Sequence, residues 1–257
     1  MSRLGPHDQG DPDAPPVVFV HGAGADHTVW RFQTRWLAGR GRRTIAVDLP
    51  GHGHNPDEAP ASIEAGAKWL SDVVADLTEP VIVGHSMGAL IALEAAASSD
   101  RVVRMILVGA GLRMPVHPEL IEAARHDLRL AAALIAGWSL PGAHRGAHPE
   151  PGTWQSGGIA ALVERSRPGV LASDLEACAR YDGTNAARRI SVPVTVISGE
   201  EDRMVRAAAG RELAEAMPGA RHVVIPGTGH DPMVQVPREF NRLLLSDLTD
   251  DGKEHDL

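Results

Sequence analysis

The stretch Gly84-His85-Ser86-Met87-Gly88 sets a serine between two glycines, directly after the apolar run 81–83 and at the start of a small-residue segment, 87–97, with helical composition. A serine on a tight strand-to-helix turn is lifted clear of the surrounding backbone. Glycines two positions to either side remove side chains that would collide there. The Met87 N–H then stands at a helix N-terminus, where it stabilises negative charge. A nucleophilic serine also needs a base and a second oxyanion donor. His21-Gly22-Ala23-Gly24 follows the apolar run 17–20, and a backbone N–H of that loop, Ala23 first, is the candidate partner of Met87. Among 13 histidines, His230 lies in Pro226-Gly227-Thr228-Gly229-His230, after the last strand-like run and so at the same edge of a parallel sheet. Asp202, in Ser198-Gly199-Glu200-Glu201-Asp202, is the carboxylate best placed to hold that imidazole in one tautomer and stabilise its protonated form. Glu200 and Glu201 read as a solvated loop. His21, His52, His54 and His85 crowd the same edge, but no pair of histidines shares a helix face and no acid stands at ligand spacing, so no metal is expected.

Chemistry of this kind needs a scaffold that gathers distant loops at one edge. Short β-branched or apolar runs at 17–20, 44–47, 81–83, 102–108, 194–197 and 222–225 read as strands. Helical spacing covers 30–38, with Trp30, Arg31 and Gln33 outward and Trp36 and Leu37 inward. It recurs at 62–77, where Ser62 is the N-cap, and at 87–97, 207–216 and 238–245. The alternation predicts an α/β fold, a mostly parallel central sheet with helices on both faces. It breaks between residues 112 and 185, where helix-prone segments at 118–134, 159–165 and 172–180 surround a Gly/Pro/His-rich loop at 141–158. The expected organisation is a core of 17–111 and 186–246, a helical cap of 112–185, a flexible tail of 1–16 and a disordered acidic tail of 247–257.

Composition excludes several alternatives. The 257 residues carry 25 Lys+Arg against 33 Asp+Glu, a formal charge of −8, which argues against a nucleic-acid binder. No run approaches the roughly 18 apolar residues of a membrane span, and the polar start has no secretory core, so a cytoplasmic location is expected. Cys178 is the single cysteine and reads as a small buried hydrophobe. With no glycine-rich phosphate loop of either common kind, no cofactor is expected.

The five stretches His21-Gly22-Ala23-Gly24, Asp48-Leu49-Pro50-Gly51-His52-Gly53, Gly84-His85-Ser86-Met87-Gly88, Gly199-Glu200-Glu201-Asp202 and Gly229-His230, in this order, resemble the α/β-hydrolase-fold serine hydrolases of the esterase and lipase-like group, over residues 17–245. The order Ser86, Asp202, His230 is that of this fold and of neither the chymotrypsin-like nor the subtilisin-like enzymes. The resemblance implies Ser86, Asp202 and His230 as a triad, and a helical cap between the sixth and seventh strands. It gives the Asp48–Gly53 stretch a structural role, with none in catalysis for His52. One departure stands out: members carry two antiparallel strands before the His-Gly strand, and here only a Pro/Asp/Gly-rich 1–16 precedes it, so that hairpin is shortened or absent.

The expected reaction is hydrolysis of a small or medium carboxylic ester through an acyl-enzyme. Thioesters and lactones need the same machinery, and carbon–carbon bond hydrolysis or cofactor-free perhydrolysis uses the same fold. A substrate carboxylate would call for a pocket cation, for which Arg113, Arg125, Arg129 and Arg180 are the cap candidates. A non-catalytic ligand-binding protein is the third class. The candidate pocket walls are Gly22, Gly24, Met87, Leu112, Met114 and Leu134, with Ile135, Trp138, Trp154, Met204 and Met233. Because aromatics make up only 4% of the chain, aliphatic and methionine side chains are expected to dominate, which favours flexible acyl groups. The oligomeric state is left open.

Overall fold

The computed structural model describes residues 8–141 and 154–249. Its strands are β1 (Asp8–Gln9), β2 (Pro16–Val20), β3 (Arg43–Val47), β4 (Val81–His85), β5 (Arg104–Val108), β6 (Val194–Gly199) and β7 (Arg221–Ile225). They form one sheet in the order β1-β3-β2-β4-β5-β6-β7. Every pairing is parallel except that of β1 with β3. All five residues of β2 are buried, as a central strand covered on both faces requires.

Successive side chains of β2 alternate between two cores. Val17 and Phe19 join Trp30, Leu37, Ile197 and Phe240. Val18 and Val20 join Leu70, Leu90, Leu93 and Leu107 on the other face. The first core receives α1 (Arg31–Ala38), α10 (Pro232–Gln235) and α11 (Pro237–Thr249). The second receives α2 (Ile63–Val74), α3 (Met87–Ala96), α8 (Thr184–Ala187) and α9 (Ala207–Glu215). Ser62 caps α2 by accepting the Ala65 N–H at 3.2 Å. Helix α3 is buried on nearly every side, which its small residues permit.

Between β5 and β6 the chain leaves the sheet to form α4 (Pro118–His126), α5 (Leu128–Ser139), α6 (Gln155–Glu164) and α7 (Val170–Arg180). These share their own core around Leu120, Ala131, Ile159, Leu171 and Leu175. Among the described residues the insertion follows the fifth strand, not the sixth, because only β1 precedes β2 there.

Four expectations need correction. The stretch 1–16 is not all tail: Asp8 and Gln9 pair antiparallel with Ile45 and Thr44, and the Arg43 guanidinium meets the Asp8 carboxylate at 2.6 Å. The 118–134 segment is two helices, because Asp127 leaves the helical conformation and its carboxylate caps α5 through the Leu130 N–H. Trp30 and Gln33 face inward; Trp30 packs against Phe19 with the rings tilted, and the Gln33 amide donates to Met233 O and Asn241 Oδ1. Asp247 belongs to α11, fully buried, where Arg221 and Thr195 meet its carboxylate. Within the expected 141–158 loop, residues 142–153 lie outside the described residues, as do 1–7 and 250–257 of the two tails. Among the described residues, no helix is long and apolar enough to cross a membrane.

Candidate active site

Ser86 sits between β4 and α3 at φ 52° and ψ −119°, a region that costs a non-glycine residue about 1–3 kcal/mol. The fold holds it there. Its N–H donates to Val108 O on β5 at 2.8 Å. A Cβ on Gly84 would fall 2.5 Å from the Gly88 carbonyl oxygen, and one on Gly88 would overlap the Val20 and His21 carbonyls. Both glycines are therefore demanded by close backbone approach, as the pentapeptide predicts.

The loop after β7 delivers His230, whose Nδ1 donates to Asp202 Oδ2 at 2.8 Å. The other carboxylate oxygen, Oδ1, accepts the N–H groups of Met204 and Val205, each at 2.8 Å. Asp202 is thus fixed by its own loop before it meets the imidazole. Burial of the ring, the largest single effect, lowers the His230 pKa, but the charge and hydrogen bond of Asp202 outweigh it and the net shift is upward. With Nδ1–H committed to Asp202, Nε2 carries the lone pair. It is buried and has no hydrogen-bond partner among the described residues.

Backbone contacts hold the ring's own loop. The His230 N–H donates to Ser139 O at the end of α5, and Gln235 bridges the Gly229 N–H and that same carbonyl. His85 Nε2 donates to His230 O at 2.9 Å. Burial pulls His85 down to about 4, so it stays neutral. Sequence alone flagged His85 as a neighbour of the serine; its role as a clamp on the His230 loop emerges only from contacts 145 residues apart.

Ser86 and His230 line one cavity of about 420 Å³ beneath the cap, together with Gly22, Ala23, Met114, Trp138 and Met204. Ile135 also lines it, as do Leu120, Ile159, Val163, Leu175 and Cys178, which arrive on the cap helices. Apart from Trp138 and the imidazoles, the apolar wall is aliphatic or sulfur-bearing. Cys178 is buried, and burial pushes its thiol pKa up.

Other expected wall residues lie elsewhere. Met233 is fully buried in the core shared with Phe240. Leu112 and Met87 pack in the opposite core, although Met87 N–H remains next to Ser86 at the start of α3. Leu134 packs within the cap. Trp154 is 78% exposed and borders a separate groove with Phe32 and Trp36. Gly24 lines a shallow hollow beside the site, and its N–H is taken by Asp174.

The four arginines considered as pocket cations do not line the cavity. Arg113 pairs with Asp182, Arg125 with Glu122 and Glu176, and Arg180 with Glu176. Arg203, next to Asp202, does line it. Asp48 also proves to be a spatial partner for histidines: its carboxylate accepts the N–H groups of His27 and His54 and the His27 ring, which closes the loop after β3.

The alpha/beta hydrolase family matches residues 17–243 of the chain. A pimeloyl-[acyl-carrier protein] methyl ester esterase of Aromatoleum aromaticum is 32% identical over 242 residues, covering 88% of this chain and 94% of that one. Among solved structures, the enol-lactonase of Burkholderia xenovorans superposes with a TM-score of 0.84 at 26% identity, covering 94% of this chain and 95% of that one. A thermophilic esterase of Thermogutta terrifontis superposes with a TM-score of 0.82 at 26% identity, covering 94% and 91%.

Proposed function

The chain belongs to the alpha/beta hydrolase family and acts on ester-like bonds, and on that premise we propose that it is a carboxylic ester hydrolase working through Ser86, His230 and Asp202. The observation that carries this reading is the 2.8 Å Asp202–His230 pair, whose uncommitted Nε2 shares a cavity with a serine on a strained turn. Ser86 Oγ attacks the ester carbonyl while His230 Nε2 takes its proton. The N–H groups of Ala23 and Met87 stabilise the oxyanion, a contribution of about 10²–10³ in rate for one donor. Collapse of the tetrahedral intermediate breaks the ester C–O bond, and His230 protonates the departing alkoxide. Water, deprotonated by His230, then attacks the acyl-enzyme, and the acid leaves with Ser86 reprotonated.

The aliphatic wall and the 420 Å³ volume suit a small or medium flexible acyl group. A fluorophosphonate probe tests the nucleophile: it labels the wild-type chain at Ser86 and leaves Ser86→Ala unlabelled. Absence of labelling on folded wild type overturns the reading. A panel of para-nitrophenyl esters of increasing acyl length, with a thioester and a lactone, then ranks the substrate classes.

A second reading is favoured by one observation. Arg203 borders the cavity, and no acidic partner holds it among the described residues. A substrate that carries a carboxylate, such as an acid-bearing lactone or a diketone acid, would find its counter-ion there. Arg203→Ala would raise KM for such a substrate and leave KM for a neutral ester unchanged.

A further inference from the structure

Cap helix α7 sends one carboxylate across the boundary between cap and core. Asp174 is buried, and its Oδ2 accepts the Gly24 N–H at 2.9 Å and lies 2.8 Å from His52 Nε2. The other ring nitrogen of His52, Nδ1, lies 3.0 Å from the Pro50 carbonyl oxygen. Both nitrogens therefore face oxygens that only accept, and both contacts are hydrogen bonds only when the ring carries two protons. His21, whose ring centroid is 4.8 Å away, is the reverse case. Its Nε2 accepts from the Leu49 N–H, and its Nδ1 donates to Gly22 O. That pattern needs a neutral ring, and burial together with the neighbouring His52 charge holds His21 down at about 3.

The His52 pKa moves the other way. Burial, the largest effect, opposes its charge, but the hydrogen bond and charge of Asp174, with help from the Pro50 carbonyl and Asp48, more than offset it. The loop that meets this pair is the one that carries Ala23. Gly24 has φ +63°, and a Cβ there would fall 2.8 Å from Leu171 Cδ1 of α7. Helix α7 is thus packed directly on the loop that presents the oxyanion donor.

We propose that Asp174 and His52 are positioning residues: their buried ion pair, joined to the Gly24 N–H, seats the cap against the His21–Gly24 loop and so aligns the Ala23 N–H toward the oxyanion. The proposal deepens the esterase reading and rests on it. The charged and titratable groups around the pair come from several elements. Cys178 stands beside Asp174 on α7, and the loops after β2 and β3 contribute His21, Asp26 and Asp48. After α6, Arg165 pairs with Asp26, and Arg167 donates to the Asn55 and Gly53 carbonyls. Near neutral pH, His21 is already neutral, Asp26 and Asp48 are held ionised, and burial keeps the Cys178 thiol protonated. Of these groups His52 is the one whose charge is lost as pH rises through its raised value. Once it loses a proton, one of its two acceptors faces a lone pair and the contact fails. Turnover then falls on the alkaline side although Ser86 and His230 are unaltered.

The test uses the full chain and a para-nitrophenyl ester, with kcat counted per Ser86 titrated by a fluorophosphonate. Asp174→Ala lowers kcat about 10-fold, the fraction of an oxyanion donor's contribution lost by misplacement, with KM changed far less. It weakens binding of a trifluoromethyl ketone, which mimics the tetrahedral oxyanion, by a similar factor. Asp174→Asn keeps an oxygen for the Gly24 N–H and recovers most of that loss at neutral pH. His52→Gln keeps one donor toward Asp174, lowers kcat about 3-fold, and removes the alkaline fall in kcat. Should Asp174→Ala fail to fold, Asp174→Asn and His52→Gln conserve volume and carry the comparison, both losing the alkaline limb. Unchanged kcat and ketone affinity in Asp174→Ala, or an alkaline limb that survives in Asp174→Asn or His52→Gln, overturns the proposal while labelling of Ser86 leaves the esterase reading intact. A wild-type chain that takes up no probe overturns both.

Discussion

Two imidazole–carboxylate pairs are buried at the same edge of the sheet, and each closes at 2.8 Å: His230 with Asp202, and His52 with Asp174. Their chemistry differs because of what lies beyond the ring. His230 lines the cavity, and its Nε2 has no hydrogen-bond partner among the described residues, so the ring has a lone pair to offer. His52 has a carbonyl on its far side, so both nitrogens are committed to acceptors. The first pair can move a proton; the second can only hold a position. Residue type and pair distance are identical, and the third group sets the role.

The two pairs also titrate in the same direction with opposite consequences. Both histidines have raised folded-state pKa values. Each therefore contributes stability that is fully present below the unfolded value of about 6.5 and is lost as pH rises through the folded one. For activity the signs part. In the proposed mechanism His230 accepts a proton only when neutral, so turnover is expected to rise with pH through its folded value. The His52 strut works only when charged, so turnover falls through its own.

The largest expected effect breaks the catalytic pair: His230→Gln lowers kcat by about 10⁶, measured as single-turnover hydrolysis of a para-nitrophenyl ester. Asp202→Asn costs about 10⁴ and moves the acid limb of kcat/KM to lower pH, because the groups that raise His230 above its buried value are chiefly those of Asp202. An acid limb that stays in place would detach His230 from Asp202. At the second pair the dominant loss is in stability. Asp174→Ala strands a buried imidazolium and an unmet N–H, and destabilises by about 3–5 kcal/mol in urea denaturation. Next comes the pH dependence of melting. Wild-type Tm declines from about pH 6.5 upward, and His52→Gln removes part of that slope, a difference calorimetry resolves. The smallest effect lies in the cap. Trp138→Ala raises KM for a medium-chain ester, whereas exposed Trp154→Ala stays within the roughly 0.5 kcal/mol expected of a surface change.

Much of the fold was legible locally. Strand runs and glycines announce themselves because a buried strand must be apolar and a serine turn pressed against backbone must be flanked by glycine. The break at Asp127 was legible in principle, since aspartate favours an N-cap over a helix interior, but the apolar period ran through it. Trp30 and Gln33 were misjudged because helical spacing shows a stripe without saying which partners line it. Gln33 is buried only because Met233 and Asn241, some 200 residues on, accept its amide protons. Among the pocket walls, Met233 and Leu112 share the hydrophobic character of Met114 and Met204, and nothing local separates a core methionine from a cavity one.

By itself the sequence determined the parallel α/β architecture and the order of five loop motifs, since strand burial and tight turns constrain residue type over a few positions. Tertiary structure alone decided which histidine keeps a nitrogen without a partner among the described residues and which faces a carbonyl. It also decided which arginine reaches the cavity and how the cap is tied to the His21–Gly24 loop. The physical reason is range: a proton's usefulness depends on every group around the ring, and for His52 the deciding carboxylate comes from 122 residues away.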